Sequence, residues 1–267
     1  FQRWVRRNKR FALRSWSHSN MNKLIVLGAL LPLLSAQSAR EIVMEAQKRA
    51  RSTSQRYTGT LQVLDAKGKV SDKRWEYERM GAAGDSKSLL KFTAPAEVKG
   101  VALLVVNHAD RASDQWMWTP SVGRERRIAF QDRSTRFFGT DFSFEDLEER
   151  DVEQYDYRLT GEVSLQGAAC WKLESKPREA KASQYTHSHV WIRKDHYTFA
   201  QIESFRKEEL IRRLQYFDLE RVQNIWTPRR IEIEDLKRKS RTVLKLDKLE
   251  YNVPLDAGKF TIQALRQ

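Results

Sequence analysis

The stretch from Leu90 to Leu147 restricts the fold more than any other part of this chain. It opens as LKFTAPAEVKG (Leu90 to Gly100) and runs on as VALLVVNH (Val101 to His108). WMWTP (Trp116 to Pro120), GRERRI (Gly123 to Ile128) and FGTDFSFEDL (Phe138 to Leu147) follow. Val101 to Val106 is apolar without a break, the pattern of a central strand buried on both faces. Trp116 and Trp118 alternate with Met117, so the two indoles share one face of an extended segment. Arg124, Arg126 and Ile128 alternate in the same way with Glu125 and Arg127. Extended segments at hairpin spacing, punctuated by Pro and Gly, commit this region to antiparallel sheet.

The same period of two flanks the stretch. Tyr57, Gly59, Leu61 and Val63 fall on one side, and Trp75 and Tyr77 lie opposite Arg74, Glu76 and Glu78. Asp65 to Lys69 and Gly81 to Asp85 read as turns. Strands resume from Tyr155 to Tyr251, with turns at Asp195-His196, Lys207 to Glu209 and Asn224. Arg40 to Ser54 reads as a helix, because Ile42, Val43, Ala46 and Ala50 recur near a 3.6 period. Its narrow apolar stripe suits a helix lying across a sheet. The acidic segment Asp141 to Glu153 carries Ser143 followed three residues later by Asp146, a rough capping box that predicts a short helix. The expected fold is mainly β with a few helices (α+β): an antiparallel sheet of about eleven strands in a single domain over residues 40–267.

Residues 1–39 read differently. Met21-Asn22-Lys23 precedes the apolar core Leu24 to Leu34, and Ser35 to Ala39 supplies small residues for cleavage. That is the anatomy of a signal peptide with its core over 21–38, and export to the periplasm is expected. The apolar run falls short of the roughly 20 residues that span a bilayer. Residues 1–20 read as an over-extended start or a long basic leader. Seven of the 49 basic residues and none of the 35 acidic ones lie in 1–39, so half of the net charge of +14 belongs to this segment. The remaining +7 suits transient contact with an anionic membrane surface. A nucleic-acid partner is not expected of an exported chain.

Catalytic signatures are missing from the sequence. There is no G-x-S-x-G or H-E-x-x-H, and the lone Cys170 sits in a strand-like run. His187 and His189 could share a metal, but no third ligand is apparent. The acidic segment lacks the Asp-x-Asp-x-Asp-Gly spacing of a calcium loop. No catalytic residue, metal or cofactor is therefore expected. The aromatic residues carry the information instead. Leu61, Trp75, Tyr77, Phe92, Trp116, Trp118 and Phe142 would form a core in a closed sheet, or line a groove in an open one.

The block LKFxxPxxVKGxALLVxNH, the WxWxP and GRxRRI strands and the FxGTDFSFEDL loop resemble the LolA-like outer-membrane lipoprotein-sorting proteins. The resemblance is to a periplasmic branch often found beside RND-type exporters. It implies an open antiparallel half-barrel with helices on its concave face, sheltering the acyl chains of a lipid or lipoprotein. On that reading the seven residues above line the groove, and the lid is either a helix or the Phe138 to Leu147 loop, with Phe138, Gly139, Asp141 and Phe144 as the loop's candidates. The resemblance further implies an inner-membrane RND-type transporter as partner. The alternative is a non-enzymatic accessory or adaptor subunit of such an exporter, with a filled interior and no cargo.

Overall fold

Thirteen strands, two more than expected, pair antiparallel in one sheet. The computed structural model describes residues 37–82, 84–180 and 183–266. The expected signal core therefore lies almost wholly outside the described residues. One meander comprises β1 (Ser54–Leu64), β2 (Val70–Ala82), β3 (Asp85–Ala94), β4 (Ala102–His108), β5 (Asp114–Thr119) and β6 (Arg124–Arg127). The other comprises β7 (Tyr155–Leu165), β8 (Ala168–Pro177), β9 (His187–Arg193), β10 (Phe199–Arg206), β11 (Glu209–Val222), β12 (Ile225–Asp235) and β13 (Ser240–Tyr251). The spatial order is β6-β5-β4-β3-β2-β1-β13-β12-β11-β10-β9-β8-β7. Every neighbour is thus a sequential hairpin except the β1–β13 pair, which joins the meanders. No pairing joins β6 to β7, so the sheet stays open.

This order fixes the path of the acidic segment. β6 and β7 follow one another in sequence but form opposite edges of the sheet. Residues 128–154 must connect them, and they do so along the inner face. The segment is a strap, not a helix. Its only regular turns are the short 3-10 pieces Phe130–Asp132, Glu145–Leu147 and Val152–Gln154. The expected pairing at its centre does form: the Ser143 amide and hydroxyl donate to Asp146 Oδ2 at 2.8 and 2.6 Å.

The strap fills one half of the inner face. Phe137, Phe142 and Phe144 pack into a cluster with Leu61, Trp75, Leu90, Phe92, Leu103 and Val105. Phe92 stacks on Phe137 at 5.3 Å, and Phe144 meets Phe137 edge-on at 5.5 Å. Trp75 contacts both Phe92 and Phe142, at 5.7 and 6.0 Å. Such pairs add about 0.5–1.5 kcal/mol each beyond the area they bury. Gly59 makes room for the indole, since a Cβ there would stand 2.2 Å from Trp75 Nε1.

β4 is buried on both faces, as its composition requires. Leu103 and Val105 face the strap, while Ala102 and Leu104 face outward onto Phe260 and Leu265 of the C-terminal turns. The other half of the inner face carries α1 (Ala39–Arg49), the only α-helix among the described residues. It ends short of the expected Ser54, because Ser54 already belongs to β1. Ser38 caps it with a full capping box, and Ile42, Val43 and Ala46 are buried beneath it.

Candidate functional site

Register across β8 to β12 builds the floor of the site. Leu173 pairs with Val190, Val190 with Ile202, Ile202 with Leu214, and Leu214 with Ile233. Side chains directly opposite share a face, so these five form one apolar row: Leu173, Val190 and Ile202 pack with α1, and Leu214 and Ile233 with the strap's cluster. Two residues along each strand, a second row runs Ser175, Ser188, Ser204, Arg212, Asp235 and Ser240. All six are buried. The inner face therefore changes from apolar to polar within one step of the pleat.

The strap docks on the polar side. Asp141 is fully buried, and its carboxylate accepts from Thr242 Oγ1 at 2.8 Å, Ser240 Oγ at 2.5 Å and Arg136 Nη2 at 2.8 Å. Arg212 donates to the Asp141 carbonyl and lies 3.2 Å from Asp146. Arg79 lies 3.2 Å from Glu149, and Arg133 lies 3.3 Å from Glu148. Breaking one partner of a buried pair of this kind costs about 3–5 kcal/mol. Burial pushes the Glu148 carboxyl up to about 7 despite Arg133, and Glu145 is likewise raised by burial.

Between α1, the end of the strap and the apolar row lies a cavity of about 300 Å³. Val43, Val190, Ile202 and Leu214 are among its apolar lining, and Arg79, Arg150 and Arg212 are among its polar lining. A second cavity of about 440 Å³ shares Ala50, Phe199 and Tyr216 with it and continues to His196 and Trp226. Both volumes lie within the roughly 300–1,000 Å³ usual for small-ligand sites. The two adjoin at these shared residues, beside the C-terminal end of α1.

The residues expected to line a groove divide into two groups, and neither lines this one. Leu61, Trp75, Tyr77, Phe92 and Phe142 do face inward, but they surround the strap's own phenylalanines. Tyr77 stacks on Tyr57 at 4.8 Å in the same cluster. Trp116 and Trp118 lie on the outer face, because register places Met117 opposite inward-facing Leu103. There they pack with Phe260 and Leu265.

The candidate lid residues all fall within the strap. Asp141 and Phe144 are buried anchors of the strap, while Phe138 and Gly139, with φ of 45° and 74°, form the turn that leads from Phe137 into Asp141. The strap is tied at both ends to opposite sheet edges and pinned between them by Asp141. The acidic segment Asp141 to Glu153 does not pair with Arg124 to Arg127: Arg126 pairs with Asp132 at the start of the strap, and Arg127 with Asp114. Sequence reasoning missed Arg79, Arg133, Arg150 and Arg212, whose charge reads as solvent-facing. The signal was the strap itself, since so many clustered acids need buried cations if they pack inside.

His187 and His189 share a face as expected, and both rings pack on Phe205, at 4.6 and 4.9 Å.

With this geometry in hand, comparison is informative. A family model described as an uncharacterized protein matches residues 84–267. A domain from Vibrio parahaemolyticus, described as an outer membrane lipoprotein-sorting protein, superposes with a TM-score of 0.81 at 25% identity. The match covers 86% of this chain and 98% of that one. A DUF1329 family protein from Desulfovibrio piger gives a TM-score of 0.81 at 27% identity, over 85% of this chain and 97% of that one. A LolA superfamily protein from Nitrosomonas europaea shares the fold, with a TM-score of 0.68 at 19% identity over 85% and 98% of the two chains. No curated protein matches the sequence. The chain thus belongs to the family whose model matches residues 84–267, and its open thirteen-stranded sheet is the LolA-like fold, similar to that of the outer membrane lipoprotein-sorting domain and the DUF1329 protein.

Proposed function

We propose that this protein is a periplasmic carrier that shelters the acyl chain of a lipid or lipoprotein in the groove beneath α1. The observation that carries the reading is the groove itself: an apolar row of an unclosed sheet, roofed by one amphipathic helix. Among the described residues no backbone hydrogen bond joins α1 to the sheet. Side-chain packing, the Gln47–Arg150 carbonyl bond at 2.8 Å and the Arg49 guanidinium over Tyr197 hold it in place. A roof held that way is the natural lid, in place of the strap.

Each methylene taken from water contributes about 0.8 kcal/mol. A tail of about fifteen would gain roughly 12 kcal/mol, against association costs of about 4–15 kcal/mol. The complex is then reversible, as a carrier requires, and no covalent chemistry is needed. The family resemblance adds an inner-membrane RND-type transporter as the partner that loads or unloads the cargo. A cargo-free adaptor of such an exporter is the second reading, favoured by the solid packing of the β1–β6 half.

Lipid analysis of the purified full-length protein separates the two. The carrier reading predicts co-purifying acyl lipid, largely lost in a folded Ile202→Trp variant whose indole fills the groove. Lipid-free wild-type protein supports the adaptor, and equal lipid in both contradicts the groove beneath α1 as the place where it is held.

A further inference from the structure

We infer that the groove selects amphiphiles with an anionic headgroup, and that Arg150 receives the anion. This rests on the carrier reading and adds a headgroup preference to it. Seven charged residues line the cavity beside the apolar row: Arg51, Arg79, Arg150 and Arg212 against Asp146, Glu148 and Glu149. The three acids are already engaged. Asp146 faces Arg212 and accepts from Ser143 and Tyr185, Glu149 faces Arg79 and accepts from Ser86, and Glu148 faces Arg133 and accepts from Gln115.

That leaves the Arg150 guanidinium over. It is partly buried at the cavity wall, yet no carboxylate lies within ion-pairing distance of it among the described residues. The Tyr155 ring lies 5.8 Å from it, and the Glu145 and Asp146 carboxylates act on it only through longer-range charge, without forming an ion pair with it. A half-buried guanidinium with no carboxylate bonded to its fork is costly, and a bound carboxylate or phosphate satisfies that fork. Arg212 supplies an independent sign. Its side chain is 6% exposed and lines the same cavity, and its Nε has no partner.

The surroundings fit an amphiphile's two ends. Arg150 sits where the strap leaves the interior, with Arg51 nearby on the cavity wall. From there the lining turns apolar through Val190, Ile202 and Leu214 to Phe199 and Tyr216, where the second cavity begins. A headgroup at Arg150 would send its tail along the apolar row.

The test uses the delipidated full-length protein and displacement of a dansyl-labelled fatty acid. Three competitors share one tail: hexadecanoate, hexadecyl phosphate and hexadecanol. A charge-assisted hydrogen bond contributes about 1.5–3 kcal/mol, so the anions should bind about tenfold or more tighter than the alcohol. Arg150→Gln should erase that preference, and Arg150→Lys should restore part of it. The ratio of the two anions tells carboxylate from phosphate. Equal binding of all three by wild type, or an anion preference that survives in folded Arg150→Gln, overturns the headgroup inference and leaves the groove reading standing. Failure of every competitor to displace the probe, with Ile202→Trp no different from wild type, overturns both. If Arg150→Gln does not fold, the wild-type anion-to-alcohol ratio and Arg150→Lys decide.

Discussion

Glu148 lies 3.3 Å from Arg133, with both side chains nearly buried, and its carboxyl still titrates near 7. Burial outweighs the neighbouring cation, because the charged form has left water for a site where Arg133 is its only close opposite charge. The folded state therefore holds its proton more tightly than the unfolded chain does. The resulting stability is fully present below the ordinary carboxylate value of 4.5 and is lost as pH rises to about 7. Glu145, also raised by burial, acts with the same sign. Urea unfolding at about pH 5 and about pH 7.5 should show wild type losing more stability across that interval than Glu148→Gln. The difference between the two should be on the order of 2–3 kcal/mol. Identical pH dependence in both proteins would contradict the assignment. Nothing in the local sequence around Glu148 announces this, since its burial follows from where the strap is led.

At the level of elements, the strap and α1 differ in how they are held. The strap bonds through its own backbone, with the Phe137 amide donating to the Phe142 carbonyl at 2.8 Å and the Asp141 amide to Thr242 at 2.9 Å. Helix α1 rests on side chains. Hydrogen exchange of the ligand-free protein should therefore show amides of 137–148 protected close to the global limit, and α1 amides exchanging through local opening. Equal protection of both would remove α1 as the lid. The elements themselves were readable in the sequence: period two gave the strands, Ser143 and Asp146 gave a local pairing, and Val101 to Val106 gave a doubly buried strand. The face each element presents was not readable. Trp116 and Trp118 were correctly put on one side of β5, but only the register with Leu103 shows that side to be the outer one. The strap's route was hidden for a similar reason, because strand order is a property of long-range pairing.

Across the whole molecule, the topology explains why one half of the sheet is solid and the other hollow. The only connection between the two edges passes along the inner face and delivers its phenylalanines to β1–β6. Beyond them it turns acidic and meets the buried polar row. What remains uncovered is the β8–β10 part of the apolar row, which α1 roofs without filling. The groove is thus a residue of the fold's connectivity, placed away from the aromatic motif that first suggested it. A fatty acid carrying a photoactivatable diazirine on its tail, cross-linked to the full-length protein and mapped by peptide mass spectrometry, tests this placement most directly. Labels on β9–β11 around Val190, Ile202 and Leu214 are predicted; labels around Trp75 and Phe92, or around Trp116 and Trp118, would contradict it.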